Sequence, residues 1–300
     1  MAHEQEPGRV RRIGDLVRDG ERSFSFEFFP PKDAAGEEQL WQAIRELEPY
    51  RPTFVSVTYG AGGTTRDTTV AITGRIAAET TLTPMGHLTC VGHTREELLA
   101  VLASYAAAGV HNVLALRGDP PGGPGTPWVA TEGGFTYADE LVALVKATGE
   151  FSVGVAAFPE GHRECATLDD DVRVLLGKQQ AGAEFAITDM FFRASDYFGL
   201  VERARAAGVH IPVLPGIMPI LNLRQVTRMA ELSGREVPAE VVARIGAHQD
   251  DPVALRAEGI AAAAELCDEL LAGGAPGLHF YTLNRSKATR EIFAALNMAV

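Results

Sequence analysis

The stretch FSFEFFPP, residues 24–31, gives the first indication of the fold, because it is almost wholly apolar and too short for a helix. A run of this length and composition is typical of a buried strand. Its one charged side chain, Glu27, is unexpected there, since an ionised carboxylate buried without a partner loses several kcal/mol of solvation. We therefore expect Glu27 to have a role that a purely structural strand does not require.

Seven further apolar or β-branched runs follow at intervals of roughly 30 residues, the length of a βα unit. The eight predicted strands span residues 24–30, 54–60, 85–92, 112–119, 151–159, 185–192, 212–219 and 277–284. Helical periodicity lies between them, at 37–48, 95–109, 169–182 and 251–274, and the segment 220–250 has room for two more helices. Alternating strands and helices of this kind indicate a parallel sheet covered by helices.

Eight such units in one chain predict an α/β fold of the (β/α)₈ TIM-barrel type. We expect a single catalytic domain over residues 1–300, with residues 1–22 as an N-terminal extension or helix before the first strand. An open doubly wound sheet is disfavoured, because GAGGTT at 60–65 lacks the third glycine of a dinucleotide turn and LGKQQ at 176–180 is not a P-loop. A Gly/Pro-rich loop at 119–136 follows the fourth strand, and long loops of this kind are often functional.

The composition favours a small-molecule partner. The chain has 300 residues and a net charge of −12, without a Lys/Arg-rich block, so neither nucleic acid nor an anionic membrane is an expected partner. Its three cysteines are far apart, which suits free thiols in a reducing compartment. We find no signal-peptide core and no apolar run of the roughly 18 residues that a membrane span requires. The sequence therefore predicts a cytoplasmic protein.

Polar side chains cluster where the predicted strands end, which is where barrel enzymes have their active sites. They are Glu27, Thr58, Tyr59, His87, Arg117, Asp119, Glu160, His162, Thr188, Asp189, Asn284 and Arg285. Any one of them has a structural explanation; His87 can be a satisfied core histidine, and Arg117 can pair with Asp119. As a set they predict a functional site. No metal-ligand spacing and no nucleophile motif is present, which leaves acid–base chemistry by carboxylates with an organic cofactor.

Seven motifs carry a resemblance to a known family. They are FEFFPPK at 26–32, FVSVTYGAGG at 54–63, HLTC at 87–90, LRGDPP at 116–121, VAAFPEGH at 155–162, PGIMPI at 215–220 and HFYTLNR at 279–285. In these motifs and in their order, the chain resembles the methylenetetrahydrofolate reductases. The resemblance implies reduction of 5,10-methylenetetrahydrofolate to 5-methyltetrahydrofolate with NADH or NADPH, through bound FAD in a ping-pong mechanism.

The resemblance also implies roles for individual residues. Glu27 is expected to be the general acid, with a pKa raised by its apolar neighbours, and Asp119 is expected to lie beside the flavin and the pterin. Residues expected to contact FAD are Tyr59, His87, Arg117, Gly118, Asp119, Tyr137, Ala138, His162, Asp171 and Lys178. Residues expected to contact folate or nicotinamide are Thr58, Asp119, Asp189, Gln225 and Arg285. Bacterial relatives self-associate, so a homo-oligomer is expected.

Three positions depart from the family pattern: Asp189 replaces a glutamine, Phe158 replaces a tyrosine, and Met229 stands where some relatives have phenylalanine. Three alternatives stay open. One is a flavin-free reductase that passes hydride directly from nicotinamide to folate, as some family members do. Another is a folate- or flavin-binding barrel without catalysis, and the third is a flavin-dependent barrel oxidoreductase acting on proline-like substrates. The sequence does not distinguish NADH from NADPH.

Overall fold

The computed structural model describes residues 11–18, 21–59, 66–120, 122, 126–234 and 236–298. The strands are β1 (Ser23–Phe28), β2 (Phe54–Val57), β3 (Pro84–Thr89), β4 (Asn112–Leu116), β5 (Ser152–Ala157), β6 (Phe185–Thr188), β7 (Val213–Leu214), β8 (Gly216–Ile217) and β9 (Gly277–Tyr281). The helices are α1 (Ile13–Arg18), α2 (Ala34–Leu47), α3 (Arg66–Glu79), α4 (Arg95–Ala107), α5 (Ala138–Ala147), α6 (Leu168–Gln180), α7 (Ala194–Ala206), α8 (Leu223–Leu232), α9 (Ala239–Gly246), α10 (Pro252–Ala272) and α11 (Ser286–Ala295), with a short 3₁₀ helix at Glu48–Tyr50.

The strands form one parallel sheet that closes on itself in the order β7-β6-β5-β4-β3-β2-β1-β9-β8. β7 and β8 are two halves of one barrel position, separated only by Pro215, and β7 pairs with β6 while β8 pairs with β9. Proline has no N–H for the strand ladder, so the predicted seventh strand is interrupted there. The Pro215 carbonyl still accepts from His279 N at 2.9 Å, which keeps the ring connected. The predicted (β/α)₈ barrel is confirmed.

Most strand predictions differ from the structure at one end only. Apart from β8, which is the second half of the predicted seventh strand, each observed strand begins within one residue of its predicted start. The last apolar residues of the longer runs leave the ladder and form loops. The two helices expected between residues 220 and 250 are α8 and α9. The GAGGTT motif at 60–65 lies outside the described residues, as do residues 121 and 123–125 of the Gly/Pro-rich loop.

Side chains alternate along each strand between the surrounding helices and the barrel interior. On β1, Phe26 and Phe28 pack outward with the helices, which directs Ser25 and Glu27 inward. The lower interior, towards the strand starts, is apolar and consists of Phe54, Met85, Leu114, Phe185, Ile187 and Leu214, with Ile13 and Val17 of α1. Glu27 and its polar partners lie above this layer, so the apolar layer and the candidate site lie at opposite ends of the barrel.

Helix α1 closes the floor of the barrel. The backbone N–H groups of Ile13 and Gly14 donate to Asn112 Oδ1 and Ser152 Oγ, both at 2.9 Å. Asn112 and Ser152 are the first residues of β4 and β5, so α1 lies across the strand starts. In the ranges described, no helix is both long enough and apolar enough to cross a membrane.

Candidate active site

Glu27 lies inside the barrel near the C-terminal end of β1 and is only 6% exposed. One of its carboxylate oxygens, Oε2, faces three polar side chains: His279 Nε2 at 3.2 Å, Ser56 Oγ at 3.3 Å and His87 Nε2 at 3.4 Å. These partners come from β9, β2 and β3, which together with β1 form four successive strands of the closed sheet, although β9 is at the other end of the chain. The buried carboxylate is therefore paired with histidines rather than with an arginine or lysine.

His279 is held in one orientation by two further contacts. Its Nδ1 lies 2.8 Å from Ser25 Oγ, and its ring stacks on Phe54 with centroids 5.7 Å apart and planes inclined by 19°. A carboxylate only accepts hydrogen bonds, so the nitrogen that faces Glu27 carries the ring proton. In the neutral ring Nδ1 is then an acceptor, and the Ser25 hydroxyl is its neighbouring donor. Ser25, His279 and Glu27 thus form a buried hydrogen-bonded chain.

These histidines overturn the expected pKa of Glu27. Burial by itself raises the pKa of this carboxyl group, but the charge of His87 and the hydrogen bond from His279 outweigh burial, and the pKa falls from 4.5 to about 2. His87 Nε2 lies 3.4 Å from the carboxylate and makes no hydrogen bond of good geometry in the described residues, so the charge of His87 is its larger effect on the Glu27 pKa. The predicted raised pKa is wrong in this structure, because the strand-one sequence alone did not place two imidazoles beside the carboxylate.

A second polar cluster lies in the loops that follow β4 and β5. Lys178 of α6 is buried, and its Nζ donates to the carbonyl of Ala156 at 2.9 Å and lies 5.8 Å from the centre of the Phe158 ring. No carboxylate of the described residues lies within ion-pair distance of this ammonium group. Burial lowers the pKa of Lys178, against the influence of Asp171 and Asp139. A buried cation without an ion-pair partner fits a site for an anionic ligand.

His162 and Arg117 complete this cluster. His162 Nδ1 accepts from Glu164 N at 3.2 Å, so in the neutral ring the other nitrogen, Nε2, is a donor. The pKa of His162 is lowered by burial and by the positive charges of Arg117 and Lys178, against the influence of Glu164 and Asp171. Arg117 pairs with Glu164 through contacts of 2.5 and 2.8 Å and lies over the Trp128 ring at 5.1 Å.

The donors of this second cluster fit the diphosphate of a dinucleotide cofactor such as FAD. Arginine and lysine supply positive charge for phosphate oxygens, and a histidine N–H adds a directed donor. Two features lie beside this cluster. Gly118 has a φ of +85°, a backbone conformation that favours glycine. Thr89 Oγ1 is buried without a hydrogen-bond partner in the described part of the chain, so it is available to a ligand. A Cβ at Gly118 would lie 2.4 Å from Val91 Cγ1, so this turn requires glycine.

The remaining residues expected to contact FAD surround this cluster. Tyr137 is the exposed N-cap residue of α5, and Ala138 is the first residue of that helix. Asp171 lies buried in the first turn of α6, where its Oδ1 accepts from His162 N at 3.2 Å. Tyr59 follows β2 and hydrogen-bonds to His93. Asp119 is exposed at the end of β4, and the alternative that it pairs with Arg117 is not what the structure shows, since Glu164 takes that position.

The residues expected to contact folate or nicotinamide belong to separate connections at the same end of the barrel. Thr58 follows β2, Asp189 follows β6, Gln225 lies in the first turn of α8, and Arg285 is the N-cap residue of α11. Gln225 and Arg285 are exposed, whereas Thr58 and Asp189 are partly buried. The structure describes no contact that joins these residues into one pocket, so their substrate roles stay predictions.

The three departures from the family pattern have defined surroundings. Asp189 Oδ1 accepts from Met190 N at 2.8 Å. The Phe158 ring contacts His162 edge-on, with centroids 4.9 Å apart. Met229 packs on the apolar cluster under α8 and α9.

Sequence reasoning missed four residues of the site: Ser25, Ser56, His279 and His93. Ser25 could have been found from strand alternation, because it shares one face of β1 with Glu27. Ser56 and His279 could not, because they meet Glu27 only through the register that β1 makes with β2 and β9. His93 had no comparable signal, since it lies in the loop between β3 and α4.

Comparisons with known proteins fit this arrangement. The model of the family described as "Methylenetetrahydrofolate reductase" matches residues 12–297. The chain belongs to the methylenetetrahydrofolate reductase family. The Escherichia coli 5,10-methylenetetrahydrofolate reductase is 36% identical over 279 residues, covering 93% of this chain and 92% of the relative. The Arabidopsis thaliana methylenetetrahydrofolate reductase (NADH) 1 is 37% identical over 300 residues, covering 96% of this chain.

The chain spans about half the length of the fission-yeast and plant reductases that it matches. A solved structure supports the barrel independently of sequence. A protein of Clostridium thermocellum, described as binding two copies of 5-methyl-5,6,7,8-tetrahydrofolic acid, superposes with a TM-score of 0.63 at 10% identity and covers 95% of this chain and 98% of its own. At that identity the likeness concerns the fold alone.

Proposed function

We propose that this chain reduces 5,10-methylenetetrahydrofolate to 5-methyltetrahydrofolate, with NADH or NADPH as the reductant and FAD as the bound hydride carrier. The observation that carries the proposal is a buried Glu27 held by His279, His87 and Ser56 in a barrel of the reductase family. A simple binding protein has no need of a carboxylate at such a cost in solvation. We further propose that residues 1–300 act as one catalytic domain, with residues 1–22 as an extension, and that the protein forms a homo-oligomer.

Glu27 is proposed as the residue that delivers a proton to the substrate. The one-carbon unit of the substrate bridges two nitrogens in a five-membered ring, and protonation of the nitrogen on the aminobenzoate side opens that ring to an electrophilic iminium. Hydride addition to the iminium carbon then gives the methyl group. Since Glu27 is ionised in this structure, the proton has to reach it first. An imidazolium at His279, with Nδ1–H donating to Ser25 Oγ, can give its Nε2 proton to Glu27 at 3.2 Å and return to the neutral ring.

Substrate binding is expected to assist this transfer. A substrate that covers Glu27 removes residual water and strengthens the effect of burial, which raises the carboxyl pKa. The buried Ser25 hydroxyl, 2.8 Å from His279 Nδ1, holds the ring in the orientation that faces the carboxylate. In this account the acid is the Glu27–His279 pair, in which His279 supplies the proton and Glu27 delivers it to the substrate.

The second cluster is proposed to hold the cofactor. FAD, when bound, takes hydride from the nicotinamide and gives it to folate. Lys178, Arg117 and the Nε2–H of His162 are proposed to bind its diphosphate, because they are the donors around one buried region of positive charge. Asp119, exposed at the end of β4, is proposed to accept hydrogen bonds from the amino and ring N–H groups of the pterin.

The test is a turnover assay with the purified protein. We expect a yellow preparation with flavin absorbance that oxidises NADH or NADPH only when methylenetetrahydrofolate is present, with methyltetrahydrofolate as the product by mass spectrometry. Parallel reactions with the two nicotinamides decide which one is preferred. A colourless protein that still turns over would replace FAD with direct hydride transfer from the nicotinamide. A protein that binds folate and forms no product would refute the proposed activity.

A further inference from the structure

His93 is a buried histidine in the loop between β3 and α4, and both of its ring nitrogens are engaged. The side chain is 3% exposed. Its Nδ1 lies 2.9 Å from the carbonyl oxygen of Val91, and its Nε2 lies 3.1 Å from the hydroxyl of Tyr59. Tyr59 follows β2 and is itself 8% exposed. The pair therefore joins the loops that follow two neighbouring strands, β2 and β3. Val91, whose carbonyl faces His93, also donates from its backbone N–H to the carbonyl of Arg117 at 3.0 Å, which connects the pair to the predicted cofactor site.

The partners of His93 fix the direction of both hydrogen bonds. A carbonyl oxygen only accepts, so the nitrogen facing Val91 carries the ring proton. In the neutral imidazole the other nitrogen has no proton, and the Tyr59 hydroxyl must donate to it. Burial raises the pKa of the Tyr59 phenol, so its hydroxyl keeps this proton. The only hydrogen that Tyr59 could offer a ligand is already committed to His93.

We propose that His93 is a positioning residue for the cofactor site. By accepting the Tyr59 hydroxyl proton at Nε2, it leaves the lone pairs of the Tyr59 oxygen free to accept a hydrogen bond from a ligand. The group that meets Tyr59 is then an N–H or O–H donor of the flavin nucleotide, and not one of its carbonyl or phosphate oxygens. This inference rests on the proposed use of FAD. It assigns His93 a role in ligand selectivity that a satisfied core histidine would not have.

The loop does not depend on the imidazole for its conformation. Its backbone is held by His93 N donating to Cys90 O at 3.3 Å and by Arg95 N donating to Gly133 O at 3.0 Å. The start of α4 is fixed by the reciprocal capping box of Thr94 and Glu97. We therefore expect His93 variants to fold, with effects confined to Tyr59.

The first experiment measures FAD dissociation constants by fluorescence quenching for the wild type, His93→Phe, His93→Gln, Tyr59→Phe and the double variant His93→Phe/Tyr59→Phe. We expect His93→Phe and Tyr59→Phe each to weaken binding by roughly 3- to 10-fold, the size of one hydrogen bond. The double variant should be no weaker than the weaker of the two single variants, because both remove the same interaction. His93→Gln keeps an acceptor near the Nε2 position and should restore most of the affinity.

A second measurement determines directly which ring nitrogen of His93 carries the proton. The ¹⁵N shifts of the His93 imidazole, assigned by comparison with His93→Gln, should show a protonated Nδ1 and an unprotonated Nε2. The reverse tautomer would overturn the inference, as would wild-type FAD affinity in His93→Phe or effects that multiply in the double variant. A wild-type protein that binds no FAD would contradict the proposed cofactor instead, so the two failures are distinct.

Discussion

At the scale of single residues, the candidate chemistry depends on one carboxylate and two imidazoles. Glu27 has His279 and His87 within 3.4 Å, and together they lower its pKa in spite of burial. In the proposed mechanism, an imidazolium at His279 holds the proton for ring opening until the substrate arrives. The two histidines also mean that the buried carboxylate is not an isolated charge.

The lowered pKa of Glu27 predicts a specific dependence of stability on pH. Because the folded-state pKa of about 2 lies below the ordinary 4.5, Glu27 stabilises the fold above pH 4.5, and this contribution is lost as the pH falls towards 2. Between about pH 5.5 and about pH 3.5 the wild type should lose roughly 1 kcal/mol more unfolding free energy than Glu27→Gln. Urea denaturation at the two pH values measures this difference.

The control for this titration is Glu96→Gln, which removes an exposed carboxylate on α4. It should lose unfolding free energy with pH as the wild type does. Equal pH dependence in the wild type and Glu27→Gln would show that the histidines do not lower the Glu27 pKa.

Lys178 gives a prediction for cofactor retention. Its ammonium group is buried without an ion-pair partner in the described residues, so Lys178→Met should cost little stability but weaken FAD binding by roughly 10- to 100-fold, the size of a charge-assisted hydrogen bond. Arg173→Met is the matched control, because Arg173 is an exposed cation on the same helix that pairs with Asp170. FAD content after gel filtration should fall in Lys178→Met alone. Full retention in that variant would remove Lys178 from the site.

At the scale of elements, helix α1 and the split strand explain how the barrel is closed. α1 covers the strand starts through its N–H groups and its apolar residues Ile13 and Val17. At the seventh strand position of the barrel, Pro215 divides β7 from β8. There the backbone N–H of Gly216 donates to Thr188 Oγ1 at 2.8 Å instead of to a backbone carbonyl of a neighbouring strand. Both features fix the barrel without using the side chains of Glu27, Ser56, His87 or His279.

The close approach of α1 to the barrel predicts that Gly14 tolerates no side chain. A Cβ at Gly14 would lie 2.1 Å from Glu184 Oε2 and 2.7 Å from Glu184 Cβ. Glu184 cannot move freely, because it binds Ser152 Oγ at 2.7 Å and Lys146 Nζ at 2.5 Å. Gly14→Ala should therefore lower the unfolding free energy by about 1–3 kcal/mol, as overpacking does.

Gly177→Ala is the control for this substitution, since it lies within helix α6 and a Cβ there would meet no atom within 4 Å. It should be neutral or stabilising by up to about 1 kcal/mol, because alanine is the better helix former. Denaturant titrations of the two variants decide the point. An equal, small effect at both positions would mean that α1 is not packed on the strand starts.

The sequence predicts strand starts and barrel class well and the site geometry less well. Each strand is buried beneath the helices and therefore consists of a short apolar run, and such a run can be recognised from the local sequence alone. The ends of the strands differ because apolar rim residues such as Phe29 and Phe158 read like strand residues but belong to loops. The Glu27–His279 contact joins positions 252 residues apart, so no local pattern contains it. Only the order of strands in the closed barrel brings them together.

At the scale of the whole molecule, closure of the sheet creates the active centre. β1 lies between β2 and β9, so the first and last strands of the chain are neighbours, and β3 follows next to β2. Glu27, Ser56, His87 and His279 each come from a different one of these four strands. The chain carries a net charge of −12, yet Arg117, Lys178 and His162 gather at one region of the rim. This contrast supports the proposed binding of an anionic cofactor there.

The central claim is that Glu27 delivers the proton for folate reduction, and separate measurement of the two half-reactions tests it most directly. Anaerobic stopped-flow experiments follow flavin bleaching by NADH or NADPH and then flavin reoxidation by methylenetetrahydrofolate, in the wild type and in Glu27→Gln. The account predicts unchanged bleaching, because no proton donor to folate is needed there, and reoxidation slowed by roughly 10²- to 10⁴-fold, the usual contribution of general acid catalysis. Equal slowing of both half-reactions, or reoxidation at the wild-type rate, would contradict it.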